Sequence, residues 1–226
     1  YGTIKSSENY ERRFIMTFPN ETLPKGRKQK TTALYDRFVS RGAVMGDSFG
    51  LESVLWFANN PKDAYEEPTI KRSRSHDYVS KEVKNVRENV GVTEIANFSK
   101  HEFQGPDARK FLDYVLAGRI PKPGRICLNP MLTPKGKLYG DLTVACLNDN
   151  KFIVFGSGAV QEMHRRWFES HLKDFDVVYK NRSDDFHGLA LSGPKSRDLF
   201  QKLVKENISN ENFKFRDVRE MYVAGV

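Results

Sequence analysis

The sequence lacks the patterns that mark the commonest cofactor and metal sites. Its two cysteines, Cys127 and Cys146, have the spacing of no metal or redox motif. There is no Gly-x-Gly-x-x-Gly fingerprint, which argues against a flavin or nicotinamide domain within these residues. No apolar run approaches the roughly 18 residues that a membrane span needs. We therefore expect no metal, no membrane partner and no redox cofactor held by these residues.

The chain is basic, with a net charge of +8, which suits nucleic acid or a small anion that carries several carboxylates. The charge is spread out, and its densest run, residues 71–74, lies in a polar linker without interleaved aromatic residues. We therefore expect a solvated basic surface and no nucleic-acid partner. Among the five histidines, His164 and His171 share a predicted helix, but no third metal ligand stands at a useful spacing.

The chain divides by composition into two parts. Residues 1–67 read as an N-terminal arm and linker, with one short helix capped by Thr32 and stopped by Gly42. Residues 68–226 read as the main domain, which opens with a predicted helix over residues 76–89. Because the chain starts on Tyr1 and stops inside an apolar run, we expect a fragment of a longer protein.

The main domain contains an internal repeat. Residues 96–104 predict a strand that leads into Gly-Pro and an amphipathic helix, and residues 185–192 lead into a second Gly-Pro helix. We expect the prolines at the first helical position, where a missing N–H costs nothing. The repeat predicts an α+β protein with two similar α/β halves.

A hairpin over residues 129–146 separates the two repeats. Residues 134–137 form its turn, in which Pro sets φ and Gly takes a positive φ. Across this hairpin the two cysteines could face each other, although free thiols are expected. Asp141 interrupts the second strand, where a carboxylate is disfavoured. It is either a surface residue or a carboxylate aimed into a pocket, where it could hold or deprotonate an amine.

After the hairpin, residues 151–155 predict a strand and residues 159–172 a helix, followed by a strand over residues 175–179. The intervening Gly156-Ser157-Gly158 resembles a turn that binds an anion at a helix N-terminus. Glycine used only for turn geometry explains the same pattern.

Four segments in combination resemble a known family: residues 105–112, 131–144, 155–158 and 189–194. They are similar to the folate-binding half of the dimethylglycine and sarcosine dehydrogenases, which belongs to the aminomethyltransferase family of the glycine cleavage T-protein. Residues 10–58 look like the segment that joins the flavin half of those enzymes to the folate half. The resemblance implies the T-protein folate-binding fold, here truncated at its C-terminus, where the pterin-binding Glu of the family would follow.

This resemblance implies part of a two-step enzyme. The flavin half oxidises a small N-methylated amine such as dimethylglycine, and the folate half combines the one-carbon unit with tetrahydrofolate to give 5,10-methylenetetrahydrofolate. FAD is then expected only on the flavin half, outside these residues but in the same polypeptide. The expected location is cytoplasmic, or the mitochondrial matrix in a eukaryote.

The resemblance also implies site residues. T-proteins carry an Asp-Asp pair, with the first Asp catalytic, where this chain has Gly140 and Asp141. The dehydrogenases keep one acidic residue at the second place, so Asp141 is the implied catalytic group that orients or deprotonates the folate amine. Phe98 stands where T-proteins carry a Met that lines the folate site. Glu94 stands where T-proteins carry the Asp of an Asp-Val-Ser-His motif.

Three further residues are implied in cofactor binding. Tyr139 belongs to the hairpin motif, and Gly156 replaces an Asn, which leaves the backbone of Gly156 and Ser157 as the expected contacts. Gly140 keeps a second hypothesis open, a non-catalytic interaction domain that retains the fold. A third hypothesis is a free-standing folate-dependent methyltransferase or demethylase. The dehydrogenase-like N-terminal arm argues against it.

Overall fold

The computed structural model describes residues 1–226 as helices and antiparallel strands. The α-helices are α1 (Gly2–Glu11), α2 (Tyr35–Ser40), α3 (Ser75–Glu88), α4 (Ala108–Val115), α5 (Gln161–His171) and α6 (Ser196–Gln201). The strands are β1 (Ala43–Ser48), β2 (Leu51–Phe57), β3 (Gly91–Glu94), β4 (Phe98–Gln104), β5 (Arg125–Leu132), β6 (Leu138–Asn148), β7 (Lys151–Ser157), β8 (Val178–Asn181) and β9 (Leu189–Ser192). Short 3₁₀ turns cover Pro61–Asp63 and Gly158–Val160. No helix is long and apolar enough to cross a membrane.

The chain divides into two compact units. Unit one comprises Tyr1–Asn97 and Leu189–Pro194, and unit two comprises Phe98–Gly188 and Lys195–Val226. The predicted boundary between an arm and a main domain, at residues 67 and 68, lies inside unit one. That division stays a prediction, and the two units are described separately below.

Unit two is built on a five-stranded antiparallel sheet in the order β5-β6-β7-β4-β8. Apolar residues alternate along the strands, so one face is buried under α4 and α5. Phe103 of β4 shows the packing, because its ring centroid lies 5.3 Å from that of Phe111 on α4 and 5.0 Å from that of Phe168 on α5. All three side chains are fully buried. This sandwich of sheet and helices is the core of the unit.

The predicted hairpin is confirmed as β5 and β6, with Gly136 at φ +71° in its turn. The register pairs Cys127 with Val144 and Cys146 with Arg125, so the two cysteines do not face each other. Both are free, and burial raises the pKa of both thiols.

Unit one consists of two two-stranded sheets, β1-β2 and β3-β9, and of α1, α2 and α3. The indole of Trp56 on β2 stacks on the ring of Tyr78 on α3, with centroids 4.9 Å apart. Val44 and Ala58 complete this small core.

A buried ion pair joins the N-terminal segment to β2 in unit one. Arg27 binds both carboxylate oxygens of Glu52, and Lys28 N–H donates to the same carboxylate at 3.0 Å. The Glu52 side chain is almost fully buried, and its hydrogen bond with Arg27 holds its pKa below the usual range.

The structure has the element types that we expect for the repeats, for the hairpin and for the helix near residue 76. The differences lie at the first and last residues of the helices and strands. The first helical residues after Gly-Pro are Ala108 and Ser196, because each proline sits in a turn two residues earlier. Thr32 is not the cap of α2, whose N-cap is Leu34. The strand predicted over residues 175–179 begins at Val178, because the three residues before it form a turn after α5. Helix α1 was not predicted, because residues 1–67 were expected to contain only the short helix near Thr32.

We expect Arg27→Met to lower the free energy of unfolding of unit one by about 3 kcal/mol, because it leaves the Glu52 carboxylate buried without its cation. Chemical denaturation followed by tryptophan fluorescence measures the loss. Lys25→Met is the matched control. It removes an exposed ion pair with Glu11 in the same unit and should cost less than about 1 kcal/mol. Equal losses in both variants would contradict the importance of the buried pair.

Candidate functional site

Three of the residues implied in folate binding lie in one row across the sheet of unit two. Phe98 on β4 pairs with Ser157 on β7. The pairing of β6 with β7 ends at Thr143 and Phe155, and Asp141 and Ser157 lie two residues beyond that pair, each on the same face of its strand as the paired residue. Residues that are directly opposite in a sheet share a face. This row of Phe98, Ser157 and Asp141, here called the outer row, lies on the face opposite the helices.

The members of the outer row are accessible. Asp141 and Ser157 are exposed, and 45% of the Phe98 side chain is in contact with solvent. The Asp141 side chain makes no hydrogen bond and no ion pair, whereas its neighbours Gly140 and Leu142 are buried on the helix side. The row therefore offers an uncommitted carboxylate, a hydroxyl and an aromatic ring to a ligand.

Tyr139 lies on the other side of the sheet. The register of β5 and β6 shifts at this point, pairing Leu132 with Leu138 and Met131 with Gly140, so Tyr139 has no directly opposite partner. Its ring packs on Trp167 of α5, with centroids 4.6 Å apart. The structure therefore separates Tyr139 from the outer row.

Gly156 faces α5 rather than the outer row. A Cβ atom there would lie 2.8 Å from Leu142 Cδ2 and 3.1 Å from both Ser99 Oγ and His164 Nδ1. A Cβ atom at Gly140, on the neighbouring strand, would lie 2.9 Å from His164 Nε2. The imidazole of His164 thus occupies the space that side chains at both glycines would need.

His164 belongs to a buried polar cluster that sequence reasoning did not identify. His164 is 1% exposed, and Ser99 and His101 on β4 are fully buried. His101 Nδ1 lies 2.8 Å from the Tyr179 hydroxyl on β8. No hydrogen-bond partner meets His101 Nε2, Ser99 Oγ or either ring nitrogen of His164. Buried polar atoms without partners are rare, so this cluster is a specialised part of the core.

Both buried imidazoles are held in the neutral form. Burial, and to a lesser extent the proximity of His164, lowers the pKa of His101 to about 4, while Glu162 opposes the shift. The ring centroids of the two histidines are 6.2 Å apart. Burial also lowers the pKa of His164, although the nearby Tyr139 carbonyl, whose geometry falls short of a hydrogen bond, works against it. Burial raises the pKa of Tyr179.

Strand alternation is the signal that could have located part of this cluster. Ser99, His101 and Phe103 occupy every second position of β4, which is the phase of its buried face. No group of three or more His, Cys, Asp or Glu residues is arranged to hold a metal ion. Residues 46–50 match the letters of a Gly-x-Ser-x-Gly motif, but they join two strands of a hairpin instead of a strand and a helix, so they do not form a nucleophile elbow.

Glu94 is the one implied site residue in unit one. It ends β3, pairs with Leu189 across β9 and lines a groove of about 820 Å³. Helix α3 contributes Glu82, Asn85 and Val86 to the same groove. The structure does not bring Glu94 together with the other implied residues within one unit.

The profile of the GCVT N-terminal domain family matches residues 34–226. The chain is 33% identical over its whole length to mitochondrial dimethylglycine dehydrogenase of Homo sapiens and spans 26% of that protein. It is 27% identical to an aminomethyltransferase of Thermotoga maritima, over 87% of this chain and 49% of the relative.

The structural comparison supports the same relationship at the level of fold. The chain superposes on the glycine cleavage system aminomethyltransferase T from Bartonella henselae with a TM-score of 0.67 and 19% identity. That match covers 85% of this chain and 48% of the other. The expected α+β fold of the aminomethyltransferase type is confirmed.

The buried histidines predict a fold that is sensitive to acid. In the unfolded chain His101 regains its ordinary pKa of 6.5, whereas in the folded chain its pKa is about 4. The unfolded state therefore binds an extra proton between these values, so the free energy of unfolding is highest above pH 6.5 and falls as the pH drops towards 4. Urea denaturation across this range measures the effect. His101→Gln should flatten the pH dependence, and exposed His76→Gln should not. An unchanged slope in His101→Gln would contradict this prediction.

We expect Gly140→Ala to destabilise unit two by about 1–3 kcal/mol, because the new methyl group meets His164 Nε2 and Met131 Cε in a packed core. A double-mutant cycle that combines Gly140→Ala with His164→Ala should give a coupling free energy of about 1 kcal/mol or more. Its sign should show that Gly140→Ala destabilises the protein less when the imidazole is absent. Gly2→Ala, where a Cβ atom meets nothing within 4 Å, is the neutral control. If the losses of unfolding free energy caused by Gly140→Ala and His164→Ala are strictly additive, the new methyl group does not clash with the His164 ring.

Proposed function

Because the chain belongs to the GCVT N-terminal domain family, we propose that it is a folate-dependent domain that captures the one-carbon unit released when an N-methylated glycine is oxidised. The observation that carries this proposal is the 33% identity to a dimethylglycine dehydrogenase over all of the chain. The similarity to aminomethyltransferases adds the expectation of tetrahydrofolate as the acceptor. The proposed product is 5,10-methylenetetrahydrofolate.

The outer row has the chemistry that a reduced pterin and its amines require. Asp141 offers a carboxylate that no protein group occupies, which suits an N–H donor of the ligand. Phe98 offers a half-exposed ring against which a flat heterocycle can stack. Ser157 lies between them with an exposed hydroxyl. These three residues are the ones that we propose to contact folate.

In the proposed reaction Asp141 acts on a proton. Tetrahydrofolate, when bound, supplies two nitrogen atoms that take the one-carbon unit, and the hydrogen atoms of those nitrogens end on the departing amine. A carboxylate beside a secondary amine can orient it and accept its proton as the nitrogen becomes a nucleophile. Asp141 is the only residue to which we assign this role.

The remaining implied residues take supporting roles in the proposal. Tyr139 and Gly156 face α5, so they would fix the strands that carry the outer row. Glu94 lies in unit one, and its role in cofactor binding remains a prediction. The flavin-containing half, which we propose as the source of the one-carbon unit, would belong to the same polypeptide because this chain spans 26% of its dehydrogenase relative. The mitochondrial relatives favour a matrix location in a eukaryote.

One observation favours an interaction domain without chemistry as the second candidate. Gly140 has no side chain, and His164 fills the space beside it. If this candidate is correct, the chain keeps the fold and Asp141 is an ordinary surface carboxylate. The experiment below separates the two hypotheses.

We expect the chain to bind tetrahydrofolate in anaerobic, reducing calorimetry with about one site per chain. Asp141→Asn should weaken this binding about tenfold, or ~1.4 kcal/mol, because it removes a charge-assisted hydrogen bond. Thermal stability should not change, since the side chain is exposed and has no partner.

Asp113→Asn is the matched control, because Asp113 is an exposed carboxylate on α4 that makes no side-chain contact with a charged group. It should leave folate binding unchanged. Saturable binding that is equal in both variants would remove Asp141 from the site. Because the resemblance implies a pterin-binding Glu beyond residue 226, absence of saturable binding would move the titration to the longer polypeptide, and absence there too would reject the folate proposal and favour the interaction domain.

A further inference from the structure

The sheet of unit two opens at the end that carries the outer row. The pairing of β6 with β7 stops at Thr143 and Phe155. Beyond that point β6 continues to pair with β5, and β7 continues to pair with β4, so each strand is held only on its far side. Main-chain hydrogen bonds between β6 and β7 therefore do not fix the separation of these two strand ends.

The imidazole of His164 on α5 lies close to both strand ends. A Cβ atom at Gly140 of β6 would lie 2.9 Å from His164 Nε2, and a Cβ atom at Gly156 of β7 would lie 3.1 Å from His164 Nδ1. One edge of the ring is thus nearest to β6, and the other edge is nearest to β7. The ring is a contact that the two separated strand ends share.

This shared contact depends on packing. His164 is 1% exposed, neither of its ring nitrogens has a hydrogen-bond partner, and Gly140 and Gly156 are also buried. Protein interiors are packed as densely as organic crystals, so a change in the volume of one side chain moves its neighbours. The volume of the imidazole therefore limits how closely the two strand ends approach each other.

Each glycine directly precedes a member of the outer row. Asp141 follows Gly140, and Ser157 follows Gly156. A planar peptide bond holds consecutive Cα atoms about 3.8 Å apart, so a glycine that moves carries the next residue with it. The position of the buried ring is thus transmitted to the exposed face through one peptide unit on each strand.

We propose that His164 is a positioning residue, whose ring sets the separation between Asp141 and Ser157 and with it the ligand group that both can contact. The inference rests on the proposed function for the identity of that ligand, tetrahydrofolate, whereas the effect on the strand ends does not. His164 itself contacts no ligand at the outer row, because the sheet lies between them.

The test without a ligand is the Cα–Cα distance between Asp141 and Ser157 in crystal structures of the chain and its variants. His164→Ala should shorten this distance, because the strand ends relax into the space that the ring leaves. The distance between Thr143 and Phe155, which the ladder fixes, should change less. A shift of the same size at both positions, or no shift at either, would overturn the proposal.

A second histidine of α5 provides the matched control. The ring of His171 packs on that of Trp167, with centroids 4.6 Å apart, and it is not among the neighbours that a Cβ atom at Gly140 or Gly156 would meet. His171→Ala should therefore leave the separation of the strand ends unchanged. An equal effect of this variant would assign the change to α5 as a whole and overturn the role of His164.

Rescue by a conservative variant identifies the physical cause. His164→Leu should restore the wild-type separation, because leucine has a similar volume and neither ring nitrogen has a partner to lose. If His164→Gln restores it and His164→Leu does not, the nitrogens act through hydrogen bonds, and positioning by packing is wrong.

Folate affinity is measured by calorimetry in the polypeptide that binds tetrahydrofolate. His164→Ala should weaken binding about tenfold, because the groups that contact the ligand are displaced, and His164→Leu should weaken it less than twofold. Val115→Ala is the control for lost stability, since Val115 is buried on α4 away from the outer row. It should lower the free energy of unfolding without changing the affinity.

The outcomes separate this inference from the proposed function. A changed separation with unchanged folate affinity, or equal losses of affinity in His164→Ala and Val115→Ala, would overturn the positioning role. If wild-type polypeptide binds no tetrahydrofolate, the proposed function fails, and the crystallographic distances still decide whether His164 sets the strand ends.

A variant on β6 covers the case in which His164→Ala does not fold. The methyl group of Gly140→Ala meets His164 Nε2, so it should push the ring and displace Ser157 on the other strand. Displacement confined to β6 would show that the ring does not connect the two strands, and it would overturn the proposal.

Discussion

The alternation of side chains along β6 is the constraint on which the candidate site of unit two depends. Gly140 and Asp141 are neighbours in sequence, but they point to opposite faces of the sheet, one towards α5 and the other towards solvent. A shift of one residue in register would bury the carboxylate and expose the glycine. The pairing of β6 with both β5 and β7 fixes this register, so the chemistry available at the surface is determined by the pairing within the sheet.

The same alternation creates the polar interior of unit two. Two glycines on adjacent strands remove the side chains that would otherwise fill the space beneath α5, and His164 lies in that space. The imidazole rings are tolerated because they remain neutral. Packing alone retains His164, whose two ring nitrogens have no partner, whereas His101 also makes a hydrogen bond with the Tyr179 hydroxyl through Nδ1. The core therefore combines close aromatic contacts with titratable groups, which ties its stability to proton concentration.

Much of this architecture could be predicted from the sequence, because the relevant signals are local. The hairpin turn, the strand before α4 and the amphipathic helices follow from turn residues and apolar periodicity. Phe98, Asp141 and Ser157 were identified by resemblance, and the register explains why they lie together. The buried cluster could be predicted only in part. Strand alternation places Ser99 and His101 on the buried face of β4, but their proximity to His164 depends on contacts between residues more than 60 positions apart.

The ends of the helices and the grouping into units were also beyond local reasoning. Pro106 and Pro194 have the same sequence signal, yet the strands before them belong to different sheets. Which strand lies beside which is decided by pairing across the whole chain, and composition carries little information about it. For the same reason the division of unit one into two two-stranded sheets is visible only in the folded structure.

The hairpin register also determines how the chain responds to oxidants. Because Cys127 faces Val144 and Cys146 faces Arg125, no internal disulfide can form without breaking the pairing of β5 and β6. Burial keeps both thiols largely protonated near neutral pH, which slows their reaction further. Oxidative cross-linking would therefore have to proceed between molecules, through the partly buried Cys127, and the sheet itself protects Cys146 in each folded molecule.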